Sequence, residues 1–235
     1  HDMWMALPKA LQQFDADPAV RLVVIEGEGD KAFVSGADIS QFETQRTDPE
    51  AQSRYGEAVE AAYLGPSRCS KPVVAKIRGI CMGGGLGLAA ACDLRFCRDD
   101  AKFRMPAGRL GLGYNAIGVR RFLSVFGLQN TLDIFFSARI FGAADALQMG
   151  FVSKVGSGDE FEKMVDDPLP HTPPLQGSFE VHDDGTERVG HLVVQFDDGF
   201  FGGPPFRFDE GHQVLGTFGQ RDPASAPVLA RFGLD

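Results

Sequence analysis

The sequence predicts an α/β protein built on a largely parallel sheet, followed by a β-rich tail. Three observations lead there. Two apolar runs, Arg21–Glu26 (RLVVIE) and Pro72–Ile77 (PVVAKI), have the continuous character of strands buried on both faces. These runs alternate with helical stretches, and such alternation calls for right-handed crossovers onto one sheet. Near residue 166 the pattern changes to prolines and short alternating segments rich in Phe, Gly and Asp.

Taken in order, Met3–Phe14 spaces its apolar residues as an amphipathic helix, with a proline in its first turns. Arg21–Glu26 is the first buried strand, and Glu28–Ile39 is a glycine-containing loop. Pro49–Leu64 is a second helix, with Ala, Glu and Arg at exposed spacing. Pro72–Ile77 is the second strand. Gly79–Gly85 is a glycine turn, from which a helix runs to Ala91. Leu94–Cys97 and Lys102–Met105 are short strands. Asn115–Phe126 and Asn130–Ser137 are two helices. Ala143–Met149 is a helix stopped by Gly150, and Phe151–Val155 is a strand. A further helix opens at Asp159. In the tail, Phe179–Val181, the Asp184-Gly185 turn and His191–Phe196 pattern as a hairpin. Phe206–Phe208 and Gln213–Phe218 are candidate strands.

The chain has 235 residues, enough for one domain with a substantial core and a small appendage. A net charge of −9 leaves no basic footprint for nucleic acid or an anionic membrane. Charge is uneven. From Asp166 onward twelve acidic residues face four arginines and no lysine, a net of −8, whereas residues 1–165 carry −1. The expected division is therefore a core of 1–165 and an acidic tail of 166–235. The weakly polar run Gly79–Cys92 is too short to span a bilayer, and no basic-then-apolar leader opens the chain. Cys69, Cys81, Cys92 and Cys97 form no CxxC pair, which suits reduced core thiols in a cytoplasmic setting.

Two segments carry the chemistry. One is Ala32–Ile39 (AFVSGADI). The other is Gly79–Leu88 (GICMGGGLGL), between a strand and a helix. Successive glycines let a ligand approach the main chain. A helix starting there aims free N–H groups and a positive dipole end at the bound group. The spacing is not GxGxxG, so a dinucleotide turn is disfavoured, and close packing is the alternative.

Together, the two segments resemble the crotonase superfamily, the enoyl-CoA hydratase/isomerase family. The resemblance continues through Cys92–Arg95, Phe103–Tyr114 (FRMPAGRLGLGY) and Ser137–Val155, and covers roughly residues 2–165. It implies a crotonase-like (ClpP/crotonase) ββα spiral core and an acyl-CoA enzyme, a lyase or isomerase of fatty acid metabolism. It implies Ala37 and Gly84 as N–H donors of an oxyanion hole. Ser35, Gly36, Asp38, Ile39, Gly83 and Gly85 would lie along the coenzyme A. No cofactor is implied beyond the coenzyme A thioester, which enters as substrate. The family's trimeric or hexameric assembly would need C-terminal helices that this sequence replaces. The chain also opens at what resembles the family's first long helix, without the β-hairpin that precedes it. The tail resembles no family. It suits a divergent appendage, a fusion or a changed reading frame, and Phe179–Phe196 is a candidate to supply the edge hairpin.

The resemblance breaks at the proton-transfer positions. The family's two catalytic glutamates fall at Gly87 and Ala107, and an aspartate used by some isomerases falls at Asn115. Neither Gly nor Ala can move a proton. Tyr114 and Asn115 are the remaining candidates nearby, with Arg78, Arg104 and Arg109. Tyr114 suits either donation to an enolate or a core position with its hydroxyl satisfied. Arg109 suits a carboxylate or phosphate contact, or a solvated surface. Asp93 is expected to hold backbone N–H groups at a helix–strand junction. The tail histidines 171, 182, 191 and 212 match no standard metal-ligand spacing. Without the glutamates, a non-catalytic acyl-CoA binder is the rival reading.

Overall fold

A computed structural model describes residues 2–36, 49–164, 188–194, 214–220 and 228–232, and side chains within 3–36 and 50–164. Its organising unit is a repeated strand–strand–helix. The first strand of each repeat joins a large sheet and the second a small one. β1 (Val20–Gly27) and β2 (Ala32–Val34) precede α2 (Pro49–Arg68). β3 (Val73–Ile77) and β4 (Ile80–Met82) precede α3 (Gly84–Ala91). β5 (Leu94–Arg98) and β6 (Lys102–Arg104) precede a 3₁₀ turn, Ala107–Leu110, and α4 (Ala116–Ser137). β7 (Phe141–Gly142), α5 (Ala143–Gln148), β8 (Lys154–Gly156) and α6 (Gly158–Lys163) follow, and α1 (Asp2–Ala16) opens the chain.

In the large sheet β1, β3, β5 and β8 are parallel neighbours in that order, with Val23 opposite Val73 and Val74 opposite Leu94. Every residue of β3 is buried, as expected of a parallel strand covered on both faces. The small sheet runs β2-β4-β6-β7, its first three strands parallel and β7 antiparallel. On the far edge of β1 lie β9 (Arg188–Val194), β10 (Val214–Gln220) and β11 (Val228–Phe232). β9 is parallel to β1, and β10 is antiparallel to both β9 and β11. So β9 lies between β1 and β10. The proposed first hairpin arm, Phe179–Val181, lies outside the described residues, as do the Asp184-Gly185 turn and Phe206–Phe208.

The apolar stripe of α1 behaves as its spacing predicts: Trp4, Leu7, Ala10, Leu11 and Phe14 are all buried. Beneath α4 lies an aromatic core, with Phe126 stacked on Phe151 at 4.5 Å and Phe103 on Phe141 at 5.3 Å. Burying each such ring contributes about 2–3 kcal/mol.

Several boundaries differ from expectation. β2 and β4 sit in stretches that read as a loop and a turn, because three-residue strands flanked by glycine leave no periodicity to detect. α2 continues four residues past Leu64, through Pro66. The two helices expected over 115–137 form one element broken at Gly127, whose φ of 72° and ψ of 170° are not helical. Phe151 and Val152 are buried but precede the strand, which begins at Lys154.

Candidate active site

β4 delivers the chain into Gly83 at φ 55° and ψ −116°, and α3 begins at Gly84. That backbone shape is open to glycine alone without strain. The Gly83 N–H is held by the carbonyl of Arg104 at 2.9 Å. Among the described residues no side chain caps α3. Its first-turn N–H groups therefore have no partner within the helix, and the positive dipole end adds to them. Gly85 is buried, and a Cβ there would collide with the Val34 carbonyl and side chain. Its role is close packing of α3 on β2.

The two glycine-bearing segments meet here. β2 pairs with β4, placing Val34 opposite Cys81. Beyond β2, Gly36 takes φ 125°, and a Cβ at Gly83 would lie 3.9 Å from the Gly36 Cα. Ser35 and Gly36 thus stand beside the start of α3. Ala37, Asp38 and Ile39 lie outside the described residues.

One turn along α3, Gly87 lies against two phenols. A Cβ at 87 would collide with the hydroxyls of both Tyr63 and Tyr114. Those hydroxyls are 3.1 Å apart, and Tyr63 also donates to the Gly84 carbonyl at 3.3 Å. The rings are fixed by their neighbours: Trp4 meets Tyr63 edge-on at 5.9 Å, and Phe122 and Phe135 do the same to Tyr114 at 5.7 and 5.4 Å. Burial pushes the Tyr114 phenol up to about 12, against a smaller opposing pull from the Tyr63 hydrogen bond. Burial also raises Tyr63 well above its usual value, with Tyr114 adding to it. Both are protonated at neutral pH, so the pair donates hydrogen bonds rather than acting as a ready base.

Tyr63 was not anticipated from the sequence. The available signal was a phenol among the buried alanines 58 and 62 on the inner face of α2. A buried polar tip of that kind needs a partner from another element. Beside Tyr63 and Gly87, a cavity of about 240 Å³ opens between α2, α3 and α4, lined also by Ala91, Ile117 and Arg120.

The other candidates are placed differently. Asn115 caps α4, its Oδ1 accepting from the Gly118 N–H at 2.7 Å. Arg104 donates to the Ala138 carbonyl at 2.8 Å, and Arg109 is exposed on the 3₁₀ turn. Arg78 is buried in an ion cluster with Glu26 at 3.2 Å and Glu162 at 3.1 Å, where Lys76 also joins Glu162 at 2.7 Å. Asp93 accepts from the Val73 N–H at 2.8 Å, the junction role expected of it. All four cysteines are free thiols, and Cys81, Cys92 and Cys97 are buried. None of the described helices is long and apolar enough to cross a membrane.

The family model for enoyl-CoA hydratase/isomerase matches residues 1–166, and the chain belongs to that family. It is 34% identical over 175 residues to the peroxisomal Δ(3,5)-Δ(2,4)-dienoyl-CoA isomerase of Arabidopsis thaliana, covering 70% of this chain and 63% of the relative. It is 33% identical over 159 residues to the crotonyl-CoA hydratase of Syntrophomonas wolfei, covering 68% and 60%. The crystal structure of an enoyl-CoA hydratase/carnithine racemase from Magnetospirillum magneticum superposes with a TM-score of 0.68 at 32% identity, covering 70% of this chain and 62% of that one. The described core thus has the crotonase-like fold, and the chain spans about three fifths of the length of these relatives.

Proposed function

We propose that the protein binds an acyl-CoA thioester at the start of α3 and stabilises the enolate derived from it. The observation that carries this reading is the meeting of Gly36 with the Gly83 turn, in front of a helix that no described side chain caps. A thioester oxygen seated there would take the Gly84 N–H and, by the family resemblance, that of Ala37. A preorganised donor of this kind lowers a barrier by about 3 kcal/mol. Ser35, Gly36, Asp38, Ile39 and Gly83 would form the backbone wall along the coenzyme A, which enters as substrate with no separate cofactor; Gly85, packed on Val34, only lets α3 approach β2.

For proton transfer the reading relies on Tyr114, with Asn115 holding the entrance of α4 in place. Gly87 and Ala107 stand where the resemblance expects glutamates, so hydration by paired carboxylates is not the route. That same substitution supports a second reading, an acyl-CoA binder without turnover. The test is to titrate the full chain with crotonyl-CoA and butyryl-CoA, following heat and the enoyl absorbance. Binding of both with loss of absorbance is the expected result for an enzyme. Binding without loss selects the binder. Absence of heat with either ligand overturns both.

A further inference from the structure

We propose that Tyr63 and Tyr114 act as one hydroxyl pair that exchanges a proton with the α-carbon of the bound acyl group, in place of a carboxylate at position 87. The inference rests on the acyl-CoA reading above and adds the group that moves the proton. Three observations support it. The space into which a side chain at 87 would project is taken by the two hydroxyl oxygens themselves. The oxygens are 3.1 Å apart, so a proton can pass between them. Tyr63 reaches the Gly84 carbonyl, on the residue whose N–H faces the thioester oxygen in the proposed pose. Its hydroxyl is thereby held on the same residue that would offer its N–H to the thioester.

The step balances without a co-reactant. As the α C–H bond breaks, its electron pair moves onto the thioester oxygen as an enolate. The proton goes to a tyrosinate oxygen of the pair. In the intermediate the phenolic proton exchanges with water, and in the reverse direction the enolate carbon takes a proton from the phenol, which restores the tyrosinate. Because the phenols hold their protons at neutral pH, the tyrosinate form is scarce there and grows with pH. A carboxylate base would instead be fully ionised throughout the neutral range. The two chemistries therefore differ in the pH profile, which a merely structural role for the tyrosines would not shape.

The experiment is exchange of the butyryl-CoA α-hydrogens with solvent deuterium, catalysed by the full chain between pH 6 and 10 and followed by mass spectrometry. Heat of binding is measured on the same samples. The expected result is a rate rising about tenfold per pH unit across the range. Tyr63→Phe and Tyr114→Phe should each lower it by at least about tenfold, and the double variant should be little worse than either single one, as groups acting as a unit require. Phenylalanine keeps both rings, so a matched circular dichroism spectrum and thermal midpoint show the variants folded. Three results overturn the pair while leaving the acyl-CoA reading intact. These are binding without exchange, exchange flat above pH 6, and exchange undiminished in the phenylalanine variants. No heat of binding overturns the acyl-CoA reading and the pair with it.

Discussion

The two ends of α3 are finished in opposite ways. At its C-terminus two arginines close on the last carbonyls. Arg95, buried, donates to Cys92 O at 2.6 Å, and Arg121 donates to Ala91 O at 3.1 Å and Cys92 O at 2.9 Å. The cations complement the negative end of the helix dipole as well as its unpaired carbonyls. At the N-terminus no side chain among the described residues caps the helix; Gly83 takes a shape that only glycine adopts without strain, and a second glycine-bearing segment lies alongside. An eight-residue, wholly apolar helix has no surface face on which to depend. The end fixed by arginine supplies stability, and in the proposed function the opposite end offers its N–H groups to a ligand. Stability and the proposed binding would thus be separated along one helix.

That contrast can be broken from its C-terminal side first. Arg95→Met should cost about 3–4 kcal/mol, because Cys92 O and Phe151 O lose a buried charged donor. A urea unfolding curve with an unchanged slope would measure it. Gly87→Ala, one turn from the bare end, should cost about 1–3 kcal/mol through the clash with Tyr63 and Tyr114. It should also weaken butyryl-CoA at least about tenfold in calorimetry, whereas Arg95→Met should leave the affinity of the remaining folded protein nearly unchanged.

A smaller effect follows from the phenol behind Gly87. An unfolded chain ionises tyrosine near pH 10, and the folded protein holds the Tyr114 proton to about 12. The folded state therefore binds the proton more tightly over that window. The associated stability is complete below about pH 10 and is lost as pH rises towards about 12. Comparing unfolding midpoints at pH 9 and 11, Tyr114→Phe should show a shallower loss than the parent.

The smallest effect lies away from α3. Hydrogen bonds from Ser70, with Oγ at 2.6 Å and N at 2.9 Å, lower the Asp15 carboxyl below its usual value. Its contribution is present above the unfolded carboxylate range and is lost as pH falls through the lower folded value. Asp15 is partly exposed, so Ser70→Ala should only slightly flatten the acid limb of the stability profile.

Much of this architecture was legible in the sequence because its strands and helices obey strong periodicities. RLVVIE and PVVAKI became β1 and β3, and the apolar stripe of α1 became its buried face. The glycine turn was legible because three successive glycines between a strand and an apolar helix mark a sharp turn, although the sequence left open whether they serve a ligand or close packing. β2 and β4 were not, since three residues carry no period. Tyr63 was missed for a different reason. Its place among Ala58 and Ala62 on α2 says that its hydroxyl needs a partner, but that partner, Tyr114, is 51 residues away and no local pattern points to it. Likewise Arg78, Arg104 and Asn115 looked like site residues by proximity in sequence. Their side chains are engaged by a carboxylate pair, a carbonyl and a helix cap.

The central claim is that the bare end of α3 holds a thioester oxygen. The most direct measurement compares the calorimetric affinity of butyryl-CoA with that of S-butyl-CoA, the thioether lacking only that oxygen. Binding of the thioester at least tenfold tighter is the predicted result, since about 1.4 kcal/mol is the least a well-aimed donor pair should contribute. Equal affinities would contradict the account, because the N-terminus of α3 would then be recognising nothing at the carbonyl.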